Sequence, residues 1–170
     1  MIVIHKVLVP IDFGEASDEA LIYGRHLAKT FSADLHVMHV AENLFFRPMA
    51  NNPSAIQTGI GQRLNEQITT EDRRVLHAVA VMYTSDEPAE EIVQYAEHEQ
   101  IDLIVMGTHG RQAMAHVLMG SVAEKVVRTA PCPVLTIRQP EREFIFPDTV
   151  EARHDRAEEN PGRDRFQRSR

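Results

Sequence analysis

At 170 residues, 43% hydrophobic and 25% charged, the chain has the size and composition of one globular domain with a substantial core. A formal net charge of -7 argues against nonspecific nucleic-acid binding, which needs a dense basic surface, yet leaves room for a local cradle around a small anion. One cysteine, Cys132, forms no intramolecular disulfide, and no apolar run approaches the ~20 residues of a membrane-spanning helix, so a cytoplasmic protein without a membrane partner is expected.

The opening MIVIHKVLVPIDF carries His5 and Lys6 in its middle and lacks a cleavage-like segment; it reads as a first strand, not a signal peptide. Within it, Lys6 to Asp12 is a β-branched run stopped by Pro10. SDEALIYGRHLAKTF follows as a helix, with Leu21, Gly24, Leu27, Ala28 and Phe31 at helical spacing. Its acids, Asp18 and Glu19, lie near the start and its bases, Arg25 and Lys29, near the end, as the helix dipole favours. Ala33 to Val40 is the second strand. Residues 41–54, with Pro48 and Pro53, form a long connection, and a polar helix with a thin apolar face (Ile56, Ile60, Leu64, Ile68) is expected over 55–73. VLHAVAVMY alternates as a third strand, and SDEPAEEIVQYAEHEQ is a helix with Pro88 in its first turn. IDLIVMG, the most apolar run, suits a strand covered by helices on both faces. SVAEKVVRTA is the last helix and PVLTIR the last strand, with Pro133 at its beginning, where a missing N–H is tolerated.

This alternation predicts an α/β domain over 1–138, built on a mainly parallel open sheet with helices on both faces. In the commonest open topology, strands one and four become neighbours at a switch point, and ligands bind there, beyond the C-terminal strand ends. Asp12 ends strand one and Gly107 ends strand four, so the two are expected to meet. Residues 139–170 differ in character. Interspersed acids and arginines surround one apolar clump, Phe144-Ile145-Phe146, and the segment reads as a disordered tail.

The stretch from Ile104 to Lys125, IVMGTHGRQAMAHVLMGSVAEK, holds glycines at 107, 110 and 120. After a buried strand, successive N–H groups at Gly107 to Gly110 can turn toward one point and cradle an anion, and a Cβ there would hold a phosphate off the backbone. Gly120-Ser121 then opens a helix whose first N–H groups are unpaired. The stretch lacks G-x-x-x-x-G-K-(S/T) and G-x-G-x-x-G, which argues against a P-loop motor or a dinucleotide dehydrogenase. A plainer reading stays open, in which the glycines make a tight turn and SVAE is a capping box pairing Ser121 with Glu124.

Gly107, Gly110, Gly120 and Ser121 fill every fixed position of G-x2-G-x9-G-(S/T), and in this the chain resembles the universal stress protein family. The likeness runs from Lys6 to Arg138 and weakens between Ala41 and Val75. It implies a five-stranded parallel sheet of order 3-2-1-4-5, of the Rossmann-like, adenine-nucleotide alpha hydrolase type. It also implies a homodimer paired through the last strand (Val134 to Arg138), and ATP, with magnesium, as ligand. By this resemblance Asp12 holds the ribose or a nucleotide-bound metal, and Val40 meets adenine through its backbone. Gly107, Gly110, Gly120 and Ser121 take the phosphates, and Val122 adds an N–H. Pro10, Ile11, Met106 and Arg111 complete the implied nucleotide-binding set.

Several residues keep a bland alternative. Asp12 can simply cap the segment after it. His109 and Arg111 can belong to a solvated loop, and the histidines lack metal-ligand grouping. Cys132 reads as a small hydrophobe, not a nucleophile. Near the glycines there is no arginine finger and no catalytic carboxylate pair, so no catalytic residue is assigned. The expected function is a nucleotide-responsive binding module in stress response. The alternatives are a weak ATP-hydrolysing or adenylyl-transferring enzyme, and a dimeric scaffold acting through its tail.

Overall fold

The computed structural model describes residues 2–43, 52–108 and 119–138. In chain order its elements are β1 (Lys6–Pro10), α1 (Glu15–Phe31), β2 (Asp34–Ala41), α2 (Pro53–Glu66), α3 (Thr70–Val75), β3 (Val79–Thr84), α4 (Pro88–His98), β4 (Leu103–Gly107), α5 (Ser121–Thr129) and β5 (Val134–Ile137). The strands form one sheet of order β3-β2-β1-β4-β5, every neighbouring pair parallel. This is the order that the resemblance implies.

β1 lies at the centre, and its alternate side chains feed two separate cores. Val7, Val9 and Ile11 join Leu35, Val37, Ala20, Leu21 and Leu64 on the face covered by α1 and α2. Leu8 joins Met38, Ile104, Ile92 and Val126 on the face covered by α4 and α5. A strand buried on both faces has no polar side, which is why β1 and β4 read as unbroken apolar runs. α1 lies very close to β1: a Cβ added at Gly24 would collide with Val9 Cγ2. Among the described residues no helix is long and apolar enough to cross a membrane.

Two expectations need correction. The single helix expected over 55–73 is two helices, broken at Gln67 to Thr69. Thr69 caps α3: its hydroxyl accepts the Asp72 N–H at 3.0 Å while Asp72 Oδ2 accepts the Thr69 N–H at 2.9 Å. Arg25 of α1 then fastens the break, donating through Nε to Asp72 Oδ2 at 3.0 Å and through its guanidinium to the Gln67 carbonyl. β3 correspondingly begins at Val79, not Val75, because Val75 closes α3 and His77 turns the chain with φ 45.

Candidate functional site

The strand register builds a row of backbone along the C-terminal edge of the sheet. Pro10 stands opposite Met38, Leu8 opposite Ile104, and Gly107 opposite Ile137. β2 runs on past Met38 to Ala41, which carries Val40 to the level of Asp12, two residues past Pro10. Pro10, Ile11 and Met106 are buried, while Asp12, Val40 and Gly107 are half-buried at the rim. The structure thus brings Pro10, Ile11, Asp12, Val40, Met106 and Gly107 to one edge. Gly110 and Arg111, together with His109 and the Phe144-Ile145-Phe146 clump, lie outside the described residues.

α1 starts directly behind Asp12. Gly14 is its N-cap in extended conformation (φ -99, ψ 163). Asp12 Oδ1 accepts the Gly14 N–H at 3.0 Å, so the carboxylate does cap the segment after it. The buried Ser17 hydroxyl accepts the same N–H at 3.1 Å, accepts the Asp12 N–H at 3.3 Å, and donates to the Gly14 carbonyl at 2.8 Å. Ser17, in the first turn three residues past the cap glycine, was not singled out by the sequence, and its grip on Asp12 depends on the fold of the loop between them.

The end of β4 touches this helix start. A Cβ at Gly107 would fall 2.9 Å from the Ala16 backbone carbon, oxygen and Cβ. Such contacts are tighter than packed atoms tolerate, so Gly107 is required by the packing of α1 on β4 whatever else binds there. This puts Gly107 against the first turn of α1, four residues past Asp12, and the two most site-like stretches do meet.

Beyond β4 the chain is pinned. Buried Thr108 donates its N–H to the Ile137 carbonyl at 2.9 Å, and its own carbonyl accepts the Gly120 N–H at 2.6 Å. The strand end and the start of α5 are therefore held side by side. The N-cap of α5 is Gly120, not Ser121, and no side chain caps it, so the capping box of Ser121 with Glu124 does not form. Gly120 has φ -70, which any residue adopts, so its backbone conformation does not call for glycine. The first intrahelical bond runs from the Glu124 N–H to the Gly120 carbonyl at 2.9 Å. The N–H groups of Ser121, Val122 and Ala123 precede it, and the exposed Ser121 side chain stands at the same opening. N–H groups ahead of the first intrahelical bond and the positive end of the helix dipole attract an anion. Among the described residues no three His, Cys, Asp or Glu side chains gather to hold a metal ion. Burial pushes the half-buried Cys132 thiol above its ordinary range, so it is not an activated nucleophile.

Known proteins share this architecture. A family model described as "Universal stress protein family" matches residues 4–138. Universal stress protein MJ0531 of Methanocaldococcus jannaschii is 32% identical over 149 residues, spanning 81% of this chain and 84% of that protein. Among solved structures, the universal stress protein UspA from Lactobacillus plantarum superposes with a TM-score of 0.65 at 26% identity, covering 81% of this chain and 100% of its own. The universal stress protein from Archaeoglobus fulgidus in complex with dAMP shares the fold, with a TM-score of 0.57 at 20% identity over 81% of this chain and 99% of its own. With the strand order, the edge geometry and a family match over nearly the whole described chain, this protein belongs to the universal stress protein family.

Proposed function

We propose that the chain binds an adenine nucleotide at the C-terminal edge of the sheet, ATP accompanied by magnesium, and works as a nucleotide-responsive regulatory module in the cytoplasmic stress response. The observation that carries this reading is the open start of α5. The N–H groups of Ser121, Val122 and Ala123 stand ahead of the first intrahelical bond, beside the exposed Ser121 side chain and the end of β4, and the N-cap glycine has no side chain to cap them. Gly107, Gly120 and Ser121 take the phosphates and Val122 adds an N–H, and by the family resemblance Gly110 and Arg111 belong to the same set. Asp12 takes the ribose or the nucleotide's magnesium, and Pro10, Ile11, Val40 and Met106 frame the base. The dAMP complex of the A. fulgidus protein shows that a chain of this fold holds an adenine nucleotide. Backbone bonds to phosphate contribute about 1.5–3 kcal/mol each, and a handful of them, net of ordering costs, gives roughly micromolar affinity. Nucleotide analysis of the supernatant from denatured, purified protein tests the reading. Adenine nucleotide in proportion to protein supports it; a protein that carries none and gives no heat with ATP or AMP at micromolar concentration refutes it.

The same reading includes a homodimer through β5. This strand is one edge of the sheet, with Val134, Leu135 and Thr136 only half-buried, and pairing with its twin satisfies its open backbone. Light scattering is expected to give about 39 kDa, twice the chain mass. A 19.3 kDa species at micromolar concentration would remove the dimer and leave the nucleotide reading standing.

A further inference from the structure

Phe13, the residue after Asp12, has φ 61, a left-handed conformation that bulky residues rarely adopt. Such a residue persists where its surroundings fix it. Among the described residues, a histidine and an arginine meet the ring. The His39 ring meets it at a centroid distance of 4.6 Å, tilted by 41°. The Arg63 guanidinium carbon lies over it, 4.4 Å from its centroid. His39 Nδ1 in turn lies 2.8 Å from the Ile11 carbonyl, and the Ile11 N–H donates to the Met38 carbonyl at 2.8 Å. The assembly therefore joins three elements: the loop that carries Asp12, the end of β2 next to Val40, and α2.

We infer that Phe13 and Arg63 are positioning residues for the ligand site, holding the Asp12 loop from behind and coupling α2 to its occupancy. The inference rests on the nucleotide reading above. Glycine would take φ 61 without strain, so a phenylalanine at 13 is used for its ring, not for its backbone. The ring packs against the core of the α1 and α2 face, where a side chain gains more from fixed neighbours than from a solvated loop. A ligand gripping Asp12 restrains Phe13 one peptide away. Phe13 restrains Arg63, and Arg63 is part of α2, whose Leu64 is in the core. Coupling of this kind is reciprocal, so whatever moves α2 also changes ligand affinity.

The test uses the full 170-residue chain, calorimetry with magnesium-ATP, and hydrogen exchange on the same samples. Phe13→Gly keeps the turn and deletes the ring; it is expected to weaken binding roughly tenfold. Arg63→Gln keeps the stem and deletes the cation, weakening binding about two- to fivefold. Phe13→Tyr and Arg63→Lys retain the stacked groups and are expected to bind within about twofold of wild type. In wild type, ATP slows exchange across both residues 12–17 and residues 53–66. In Arg63→Gln at saturating ATP the first protection remains and the second is lost, which a merely destabilised fold would not do. Wild type that binds ATP without slowing exchange in 53–66, or Phe13→Gly and Arg63→Gln that bind like wild type, overturns the inference and spares the nucleotide reading. Wild type that binds no adenine nucleotide refutes both.

Discussion

Two helices begin with a glycine N-cap at the same edge of the same sheet, and they begin differently. At α1, the Gly14 N–H is taken by Asp12 and Ser17, and the N–H groups of Ser17 and Asp18 return to the Gly14 carbonyl. Glu15 and Asp18 add negative charge to its first turn. At α5, Gly120 has no side-chain cap; its N–H goes to Thr108, and three further N–H groups are left ahead of the first helical bond. A helix start is therefore not a ligand site by position alone. α1 starts beneath the Asp12 carboxylate and two acids of its own first turn, Glu15 and Asp18, whereas the first turn of α5 carries one, Glu124.

The largest expected effect falls on the open start. Gly120→Val puts a branched Cβ where the proposed phosphate approaches, and ATP affinity is expected to fall at least about a hundredfold, beyond calorimetric detection. The far-UV spectrum is expected to stay unchanged, since φ -70 accepts valine. Wild-type affinity in this variant would reduce the α5 opening to an ordinary turn.

Asp12 belongs to the start of α1 yet stands half-buried at the rim, so it sharpens the contrast. Asp12→Ala removes the acceptor of the Gly14 N–H and the proposed ligand contact; loss of a charge-assisted bond of about 1.5–3 kcal/mol lowers affinity roughly ten- to a hundredfold. Asp12→Asn keeps an oxygen for Gly14. A ribose role makes Asn mildly weaker with or without magnesium, whereas a metal role makes it strongly weaker only with magnesium present. Titrations of both variants, with and without the metal, separate the two.

A pair of serine variants splits stability from binding. Ser17→Ala is expected to cost about 1 kcal/mol of stability, the usual worth of an N-cap bond, with ATP affinity changed less than about threefold. Ser121→Ala is expected to do the reverse, since its hydroxyl caps nothing in the helix. If both variants lose stability equally in urea melts, the two helix starts are alike and the comparison fails.

The smallest effect lies away from both starts. His36 on β2 is buried, its Nδ1 2.7 Å from the Tyr95 hydroxyl. Desolvation, aided by nearby Lys6, holds its pKa below the ordinary value, and burial pushes the Tyr95 hydroxyl up to about 12. As pH falls below the ordinary histidine value of about 6.5, the unfolded chain takes the proton before the folded one, so stability drops. The drop ends once folded His36 is itself protonated. Thermal melts from pH 7.5 down to about 5.5 are expected to show a shallower loss for His36→Gln than for wild type, because glutamine does not titrate. Identical slopes would assign the loss to other groups.

Much of this architecture is written in local pattern. The doubly buried strands and the helix-length crossovers dictate the parallel sheet, and the order of the strands then brings Asp12 and Gly107 together. What stayed hidden depends on contacts between residues far apart in the chain. The break between α2 and α3 needs Arg25, 47 residues before Asp72, to fasten it. Locally, Thr69 and Asp72 carry the capping signal, but the apolar spacing of Leu64 and Ile68 runs straight through it. Gly107 looked like a phosphate glycine, and the structure gives it a packing reason, Ala16, that no spacing rule contains. The reading of SVAE as a capping box failed by one residue, because a glycine can serve as N-cap as well as a serine. Phe13 and Arg63, fifty positions apart, carry no joint signal in the sequence.

The short bond between the Gly120 N–H and the Thr108 carbonyl has a practical meaning for protein engineering. Donor and acceptor both belong to the backbone, so no exchange of the Thr108 side chain deletes the tie between β4 and α5. Proline at 120 has no N–H to give, and Gly120→Pro is therefore the substitution that releases the start of α5 from the end of β4.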